Sequence, residues 1–208
     1  KWISDGKRPM IFAIDVESGT HRNLLAKHGL FLPPTKPGAN DYDVSPDGKE
    51  LCFVSDSAKD YGTDFNSDLY TLATDGSSPL KNITEANKAS DTNPVYSPDG
   101  KKLAYLRTSI KYFYADRQRV MILDRQAGTT RELTADLDRS AQNPKWLPDS
   151  KRLAFEAQDA GYMRIYFAGL DGNSHLTDNA KHSESAIDFA RTKRIGVYHK
   201  SSFDAPPA

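Results

Sequence analysis

Short apolar runs, each bordered by turn-forming residues, recur along the chain. Three of them follow a Pro-Asp pair and span residues 51–54, 103–106 and 153–155. Runs of this length are too short for a helix, and their bordering turn residues are typical of β-strands. The hydrophobic pattern therefore predicts an all-β chain built from short strands.

The turns before these runs repeat one signature at intervals of roughly 50 residues. It reads Ser-Pro-Asp-Gly-Lys at residues 45–49 and 97–101, and Leu-Pro-Asp-Ser-Lys at 147–151. Proline presets the first central position of a turn, aspartate suits the second, and glycine adopts the left-handed conformation that closes a hairpin. Each signature is therefore predicted to join two antiparallel strands. Ser150 takes the glycine position in the third copy, where a left-handed serine would cost about 1 kcal/mol.

A second pair of strands follows each hairpin. The third strands are predicted at 68–72, 119–124 and 164–168, and the closing strands at 82–84, 132–134 and 175–177. Turns with glycine separate the two strands of each pair, at 74–76, 126–128 and 170–172. Four short antiparallel strands per roughly 50 residues are typical of a β-propeller blade.

The two ends of the chain carry the same pattern out of phase. Residues 11–15 and 22–25 match the outer two strands of a blade, and residues 186–189 and 194–198 match the inner two. We therefore predict one partial propeller over residues 1–208, with three whole blades and two half-blades. The half-blades lie at 9–26 and 184–203, and the blades at about 40–84, 92–134 and 142–177.

This offset permits two closures. The half-blades either pair with each other in a four-bladed, lectin-like ring, or the chain is an open arc of a larger ring. An open arc exposes edge strands, and such edges invite self-association.

Composition excludes several classes of partner. Lys+Arg 28 balances Asp+Glu 28, so no basic excess is available for nucleic acid. No stretch approaches the roughly 18 apolar residues of a membrane span.

The single cysteine, Cys52, cannot form an intramolecular disulfide, and we interpret it as a small buried core residue. Residues 1–9 contain no apolar signal-peptide core, and we expect the chain to be part of a longer protein.

The sequence lacks several motifs that are typical of catalytic and cofactor sites. There is no Gly-x-Ser-x-Gly nucleophile elbow, no phosphate-binding loop and no pair of histidines at helical zinc-site spacing. We therefore expect no catalytic residue, no metal and no cofactor in this chain.

One segment is more specific than a generic blade. Residues 114–125, followed by Leu133-Thr134 and residues 138–140, resemble the propeller of the prolyl oligopeptidase superfamily of serine peptidases. The resemblance is to the bacterial dipeptidyl aminopeptidase and acylaminoacyl peptidase branch. Three further stretches agree with it, namely Trp2 with residues 5–8 ahead of a strand, residues 66–70, and the closing residues 201–207.

The resemblance implies a function for the whole parent protein. A propeller of this family caps an α/β-hydrolase domain, admits short peptides and excludes folded proteins, and the open arc then becomes the favoured closure. The hydrolase domain would follow the propeller and is expected to lie outside this chain. A periplasmic or secreted location is implied by the family alone.

The resemblance also directs attention to the connection around Tyr114, Asp116 and Arg117. An acidic side chain on a rim facing the hydrolase domain pairs with a peptide amino terminus, and an arginine pairs with a carbonyl or carboxylate. Asp116 and Arg117 are thus the first candidates for substrate contact, with Tyr114, Trp2 and Arg8 behind them. The structural alternative is loop packing with a solvated ion pair.

A second functional class stays open. Periplasmic Tol-associated propellers use the same Ser-Pro-Asp-Gly turn and bind protein partners. An open reading frame that continues into a Gly-x-Ser-x-Gly elbow favours the peptidase, and a stop codon favours the binding protein.

Overall fold

The computed structural model describes residues 8–33, 38–56, 66–171, 174–176, 182–190 and 195–201. Within these ranges the chain forms sixteen strands and one turn of 3₁₀ helix at Ala39–Asp41. The strands are β1 (Phe12–Ile14), β2 (His21–Asn23), β3 (Tyr42–Val44), β4 (Glu50–Asp56), β5 (Ser67–Ala73), β6 (Lys81–Asn82), β7 (Asp91–Tyr96), β8 (Lys102–Arg107), β9 (Arg119–Asp124), β10 (Thr129–Glu132), β11 (Ala141–Trp146), β12 (Arg152–Asp159), β13 (Tyr162–Gly169), β14 (Ser174–Leu176), β15 (Ser183–Phe189) and β16 (Gly196–Ser201).

The strands form three sheets of four and two sheets of two. The four-stranded sheets have the orders β3-β4-β5-β6, β10-β9-β8-β7 and β11-β12-β13-β14. The two-stranded sheets are β1-β2 and β15-β16. The pairs β4/β5, β8/β9 and β12/β13 are antiparallel. The predicted fold class, a β-propeller fragment of three whole blades and two half-blades, is confirmed.

Burial explains why the second strand of each blade is a continuous apolar run. Residues 51–55 of β4, 103–106 of β8 and 153–157 of β12 are all buried, so both faces of these strands are covered. A strand covered on both faces loses the alternation of apolar and polar residues that marks a half-exposed strand.

The Pro-Asp turns close through the same hydrogen bonds in different blades. The Ser45 hydroxyl donates to Asp47 Oδ1 at 2.6 Å and accepts from the Glu50 amide at 2.9 Å. The Ser97 hydroxyl makes the same two contacts, to Asp99 at 2.6 Å and from Lys102 at 2.9 Å. The serine hydroxyl of the signature thus joins the turn aspartate to the first residue of the following strand.

The third turn retains the left-handed backbone without glycine. Ser150 has φ of +57°, close to the +69° of Gly100. Its side chain also contacts the turn of the preceding blade, since the Ser150 hydroxyl accepts a hydrogen bond from the Asp99 amide at 3.1 Å. This contact offsets part of the backbone cost that the sequence predicts.

The chain divides into two compact units, each with its own core. The first comprises residues 1–94 and 109–114, and the second comprises residues 95–108 and 115–208. The core of the first contains Ile11, Leu24, Leu25, Leu32, Leu51, Phe53, Tyr70 and Leu72. The largest core cluster of the second contains Ala104, Leu106, Val120, Ile122, Leu133, Ala141, Trp146, Leu153, Phe155, Ala157, Tyr166 and Ala168.

A threonine at the end of the blade closes the third strand in two of the repeats. The hydroxyl of Thr84 accepts a hydrogen bond from the Leu69 amide at 2.9 Å, and that of Thr134 accepts from the Val120 amide at 3.0 Å. Both threonines are 3% exposed. The equivalent Thr177 lies outside the described residues.

The part of the chain that the structure describes contains no helix of the length and hydrophobicity needed to cross a bilayer.

Candidate functional site

The connection between β8 and β9, residues 108–118, carries most of the candidate residues. Its two halves belong to different compact units, residues 109–114 to the first and residues 115–118 to the second.

The carboxylate of Asp116 is held inside the second unit. Its side chain is 4% exposed, and both oxygens accept hydrogen bonds from Nη1 of Arg119 at 3.1 Å. The same Nη1 donates to the carbonyl of Arg117 at 2.6 Å. The carboxylate of this ion pair is buried instead of solvated, because the side chain of Arg119, at the start of β9, folds back over the connection.

Arg117 contacts the end of the blade. One terminal nitrogen donates to the carbonyls of Thr134, at 2.8 Å, and Leu137. The other pairs with Oε1 of Glu132 at 2.7 Å. The guanidinium thus joins the connection to the segment that follows β10. Arginine suits this position because its planar group donates in several fixed directions at once.

The half of the connection in the first unit is apolar and exposed. The large side chains of Ile110, Tyr112, Phe113 and Tyr114 are exposed by 53, 66, 53 and 104%. Tyr112 has φ of +62°, a left-handed backbone that is uncommon for an aromatic residue. The Lys111 ammonium lies 4.9 Å from the centre of the Tyr112 ring. This segment presents aromatic surface to solvent.

The remaining two candidates lie at the start of the chain. The Arg8 guanidinium sits over the ring of Phe31 at 5.0 Å, a cation–π contact within the first unit. Trp2 lies outside the described residues.

The four candidates within the described residues therefore have different environments. The charged atoms of Asp116 and Arg117 have partners within the protein, Arg8 packs on an aromatic ring, and Tyr114 is fully exposed. Their assignment to the substrate stays a prediction.

Sequence reasoning missed a buried polar network in the second unit. Glu156 is 4% exposed and its two oxygens accept from the Ala186 amide, at 2.6 Å, and from Nδ2 of Asn143, at 3.0 Å. Nearby, Nε2 of His182 lies 3.0 Å from Oε1 of Glu184, and both residues are buried. One signal was available, since Glu156 is the one charged residue inside an otherwise apolar run.

The network has a structural cause. Asn143 and Ala186 have φ of +49° and +56°. The register of the first strand shifts beside each, between Gln142 and Lys145 in β11 and between Ser185 and Asp188 in β15. Such bulges leave a backbone amide outside the ladder, and Glu156 satisfies the one at Ala186.

The described residues contain no group of three or more His, Cys, Asp or Glu side chains that could hold a metal ion. Residues 109–114 offer exposed aromatic surface within the first unit, and Asp116 and Arg117 form fixed charge pairs within the second.

The repeated four-stranded sheets and their shared turns define the class of the chain, a β-propeller fragment. No protein-family model matches the sequence. Curated relatives do. The chain is 31% identical to dipeptidyl-peptidase 5 of Aspergillus fumigatus (strain Af293) over 160 residues, which is 71% of this chain and 22% of that protein.

A second relative gives the same result over a longer stretch. Dipeptidyl-peptidase 5 of Arthroderma otae is 27% identical over 185 residues, covering 83% of this chain and 26% of that protein. The chain thus spans about a quarter of the length of the curated relatives it matches.

Solved structures support the fold. The β-propeller domain of the trilobed protease of Pyrococcus furiosus superimposes with a TM-score of 0.69 at 16% identity, over 97% of this chain and 58% of that chain. The TolB structure from Agrobacterium tumefaciens gives 0.68 at 17% identity, over 96% of this chain and 66% of that chain. Together with the dipeptidyl-peptidase 5 relatives, this fold confirms the resemblance to the propeller of prolyl oligopeptidase superfamily peptidases.

Proposed function

We propose that this chain is the substrate-gating propeller portion of a serine exopeptidase of the dipeptidyl or acylaminoacyl peptidase type. The observation that carries the proposal is the similarity to dipeptidyl-peptidase 5 over 71 to 83% of the chain. In this proposal an α/β-hydrolase domain elsewhere in the parent protein breaks the bond, and the propeller controls which peptides reach it.

The residues of this chain contribute shape and contact, not bond cleavage. A nucleophilic serine needs an elbow and oxyanion donors, and the sequence supplies no Gly-x-Ser-x-Gly motif. Tyr114 is the side chain that we expect to reach the substrate, since it is fully exposed. Asp116 and Arg117 remain candidates for substrate contact in this proposal, and their ion pairs with Arg119 and Glu132 fix the geometry of the connection. Trp2 and Arg8 stay secondary candidates for the same rim.

The first test measures whether the 208-residue chain has peptidase activity without the rest of the parent protein. The purified 208-residue chain is assayed on dipeptidyl and acylaminoacyl chromogenic substrates, next to the full-length gene product. We expect turnover only by the full-length protein, and its loss when the serine of a downstream Gly-x-Ser-x-Gly elbow is replaced by alanine. Turnover by the homogeneous 208-residue chain would contradict the proposal.

The second test addresses the rim in the full-length enzyme. Tyr114→Ala removes the exposed ring and is expected to lower kcat/KM for short peptides by about tenfold, which is the order of one lost contact. Tyr114→Phe keeps the ring and is the matched control. Equal kcat/KM for wild type and the alanine variant would remove Tyr114 from the site without affecting the peptidase assignment.

A protein-binding propeller of the Tol-associated type is the alternative. The match to TolB over 96% of the chain favours it, although 17% identity supports the fold alone. A stop codon soon after Ala208 in the gene, together with an inactive full-length product, would favour this alternative. A downstream elbow followed by aspartate and histidine would exclude it.

We further propose a periplasmic or secreted location for the parent protein, on family resemblance. Fractionation of cells producing the full-length protein tests this directly, and recovery in the cytoplasmic fraction would contradict it.

A further inference from the structure

The first and second blades carry different residues just before their third strands. Leu69 of β5 and Val120 of β9 are equivalent, because the amide of each donates to the closing threonine of its blade. The carbonyl of each also accepts from the amide of the residue before that threonine, at 2.9 and 2.7 Å. Counting back three residues from this pair, Asn66 occupies the position of Arg117. A short neutral side chain in the first blade therefore replaces a guanidinium in the second.

The acceptors that hold this guanidinium have counterparts in the first blade. Arg117 donates to the carbonyls of Thr134 and Leu137 and pairs with a carboxylate. The Leu137 amide in turn donates to the Thr134 carbonyl at 3.0 Å, and the Asn87 amide donates to the Thr84 carbonyl at 2.9 Å. The same turn thus follows the closing threonine in both blades. The carbonyls of Thr84 and Asn87 are the counterparts of the two that accept from Arg117.

Two side-chain oxygens at the start of β5 are buried. Asp68 is 1% exposed, and its Oδ2 accepts from Nδ2 of Asn82 at 2.8 Å. Within the part of the chain that the structure describes, Oδ1 of Asp68 and Oδ1 of Asn66 accept no hydrogen bond. Positions two apart along an extended strand share a face, so both oxygens lie on one side of the chain. A buried carboxylate oxygen without a donor or a positive group is costly, since it has lost its hydration.

The surroundings of Asp68 are negatively charged. Burial, and then the charge of Asp68, raise the pKa of the neighbouring Tyr70, and Glu85 and Asp56 raise it further. Three carboxylates therefore act on one phenol hydroxyl. The Lys88 ammonium donates to the Glu85 carbonyl at 2.8 Å. A positive group at Oδ1 of Asp68 would lower this negative potential.

We propose that a hard metal cation, Ca²⁺ or Na⁺, binds at the start of β5 in place of the guanidinium of the second blade. Its ligands are Oδ1 of Asp68, Oδ1 of Asn66 and the carbonyls of Thr84 and Asn87. Carboxylate, amide and main-chain oxygens are the ligands that such cations take from proteins. The bound cation joins the start of β5 to the segment after β6, as Arg117 joins its connection to the segment after β10. This inference is independent of the proposed function.

This ligand set differs from those that motif spacing detects. It contains one carboxylate, whereas the described residues hold no cluster of three or more acidic, histidine or cysteine side chains suited to a metal. Two of its four ligands are main-chain carbonyls, which have no signature in the sequence. The comparison of Asn66 with Arg117 is the observation that identifies the set.

The first experiment compares salts. Urea unfolding of the 208-residue chain is followed by circular dichroism in CaCl₂, NaCl or choline chloride at equal ionic strength. A cation that binds only the folded chain raises the urea midpoint by mass action, and choline is too large for a site lined by four oxygens. We expect a saturable rise in CaCl₂ or NaCl over choline chloride. Equal midpoints in the three salts would overturn the proposal.

Two variants connect this effect to the proposed ligands. Asp68→Asn removes the buried charge and should abolish the dependence on the metal cation. Glu17→Gln, which removes an exposed carboxylate of the same unit, is the matched control and should behave as wild type. A salt dependence that survives in Asp68→Asn would overturn the proposal.

A third variant guards against misfolding of Asp68→Asn. Asn66→Arg gives the first blade the residue of the second, so its guanidinium should replace the metal cation. In choline chloride we expect its urea midpoint to exceed that of wild type and to change no further with CaCl₂ or NaCl. Asn66→Met, which is longer than asparagine but uncharged, is the control and should show no such rise. An arginine variant with the salt dependence of wild type would overturn the proposal.

Equilibrium dialysis with radioactive Ca²⁺ or Na⁺ measures binding directly and identifies the ion. A single site per chain that is lost in Asp68→Asn and Asn66→Arg supports the proposal. A chain that binds neither ion would show that water or another group satisfies the buried oxygens, and would overturn it.

Discussion

The aspartate of each Pro-Asp turn folds its carboxylate back onto the turn. The Ser45 hydroxyl and the Lys49 amide donate to Oδ1 of Asp47 at 2.6 and 3.1 Å. These hydrogen bonds favour the charged carboxylate and hold the pKa of Asp47 below its ordinary value of 3.8. At the residue scale, the turn is therefore sensitive to acid.

The first prediction concerns this pH dependence. A carboxyl whose folded pKa is depressed contributes stability above its unfolded pKa and loses it as the pH falls through the folded value. Wild type should therefore be more stable than Asp47→Asn at neutral pH, and the difference should disappear below the lowered pKa of Asp47. Urea unfolding followed by circular dichroism across this range measures it. A difference that is independent of pH would contradict the assignment.

The second prediction concerns the glycine of the same turn. Gly48 has φ of +72°, and a Cβ at that position would meet nothing within 4 Å. Gly48→Ala should thus be destabilised by conformation alone, by about 1 kcal/mol. Gly48→Asn is the control, because asparagine tolerates the left-handed region and should lose less. Equal urea midpoints for wild type and the alanine variant would contradict this explanation.

At the scale of the element, each blade depends on polar groups placed at the ends of its strands. The closing threonines are an example, since Thr84 and Thr134 satisfy amides of β5 and β9 that the fourth strand does not reach. A buried amide without an acceptor loses its hydration without compensation.

The third prediction follows from this contact. Thr134→Val keeps the shape of the side chain but leaves the Val120 amide unsatisfied, and should lower the free energy of unfolding by about 1–3 kcal/mol. Thr130→Val changes an exposed threonine of β10 and should have little effect. Urea unfolding of both variants against wild type provides the comparison. A loss as large at Thr130 as at Thr134 would exclude the hydrogen bond as the cause.

Much of each element could be predicted from sequence, and the exceptions have a physical reason. The Pro-Asp turns use residues with strong backbone preferences, and β9 was predicted at the bounds observed, Arg119–Asp124. The contact of Glu156 with the Ala186 amide could not be predicted, because it needs a left-handed alanine and no preference of alanine signals one. The Asp116–Arg119 pair is also beyond spacing rules, since it forms in an irregular connection.

At the scale of the whole molecule, blades of one unit are joined by a few directed contacts as well as by apolar packing. In the second unit, Nε1 of Trp146 donates to the Val95 carbonyl of the preceding blade at 3.0 Å. Arg131 donates from β10 to the Leu170 carbonyl of the next blade. In the first unit, Arg22 of β2 makes the equivalent contact to the Thr74 carbonyl.

The fourth prediction separates the contribution of the hydrogen bond from that of apolar packing at Trp146. This residue is 6% exposed within the core of the second unit. Trp146→Phe removes the hydrogen bond and part of the ring, and Trp146→Ala removes nearly the whole side chain. The alanine variant should lose about 3–5 kcal/mol of stability and the phenylalanine variant clearly less. Urea unfolding measures both losses. Equal losses would mean that the hydrogen bond, and not packing, dominates.

The position of Cys52 has a practical consequence for following motion in the first blade. This thiol is the only one in the chain and lies in the middle of β4 with 0% exposure. A thiol-specific dye can reach it only when the blade opens, so the labelling rate at increasing dye concentration reports how often that opening occurs. The wild-type sequence thus contains an intrinsic probe of local opening in this blade, and no engineered cysteine is needed.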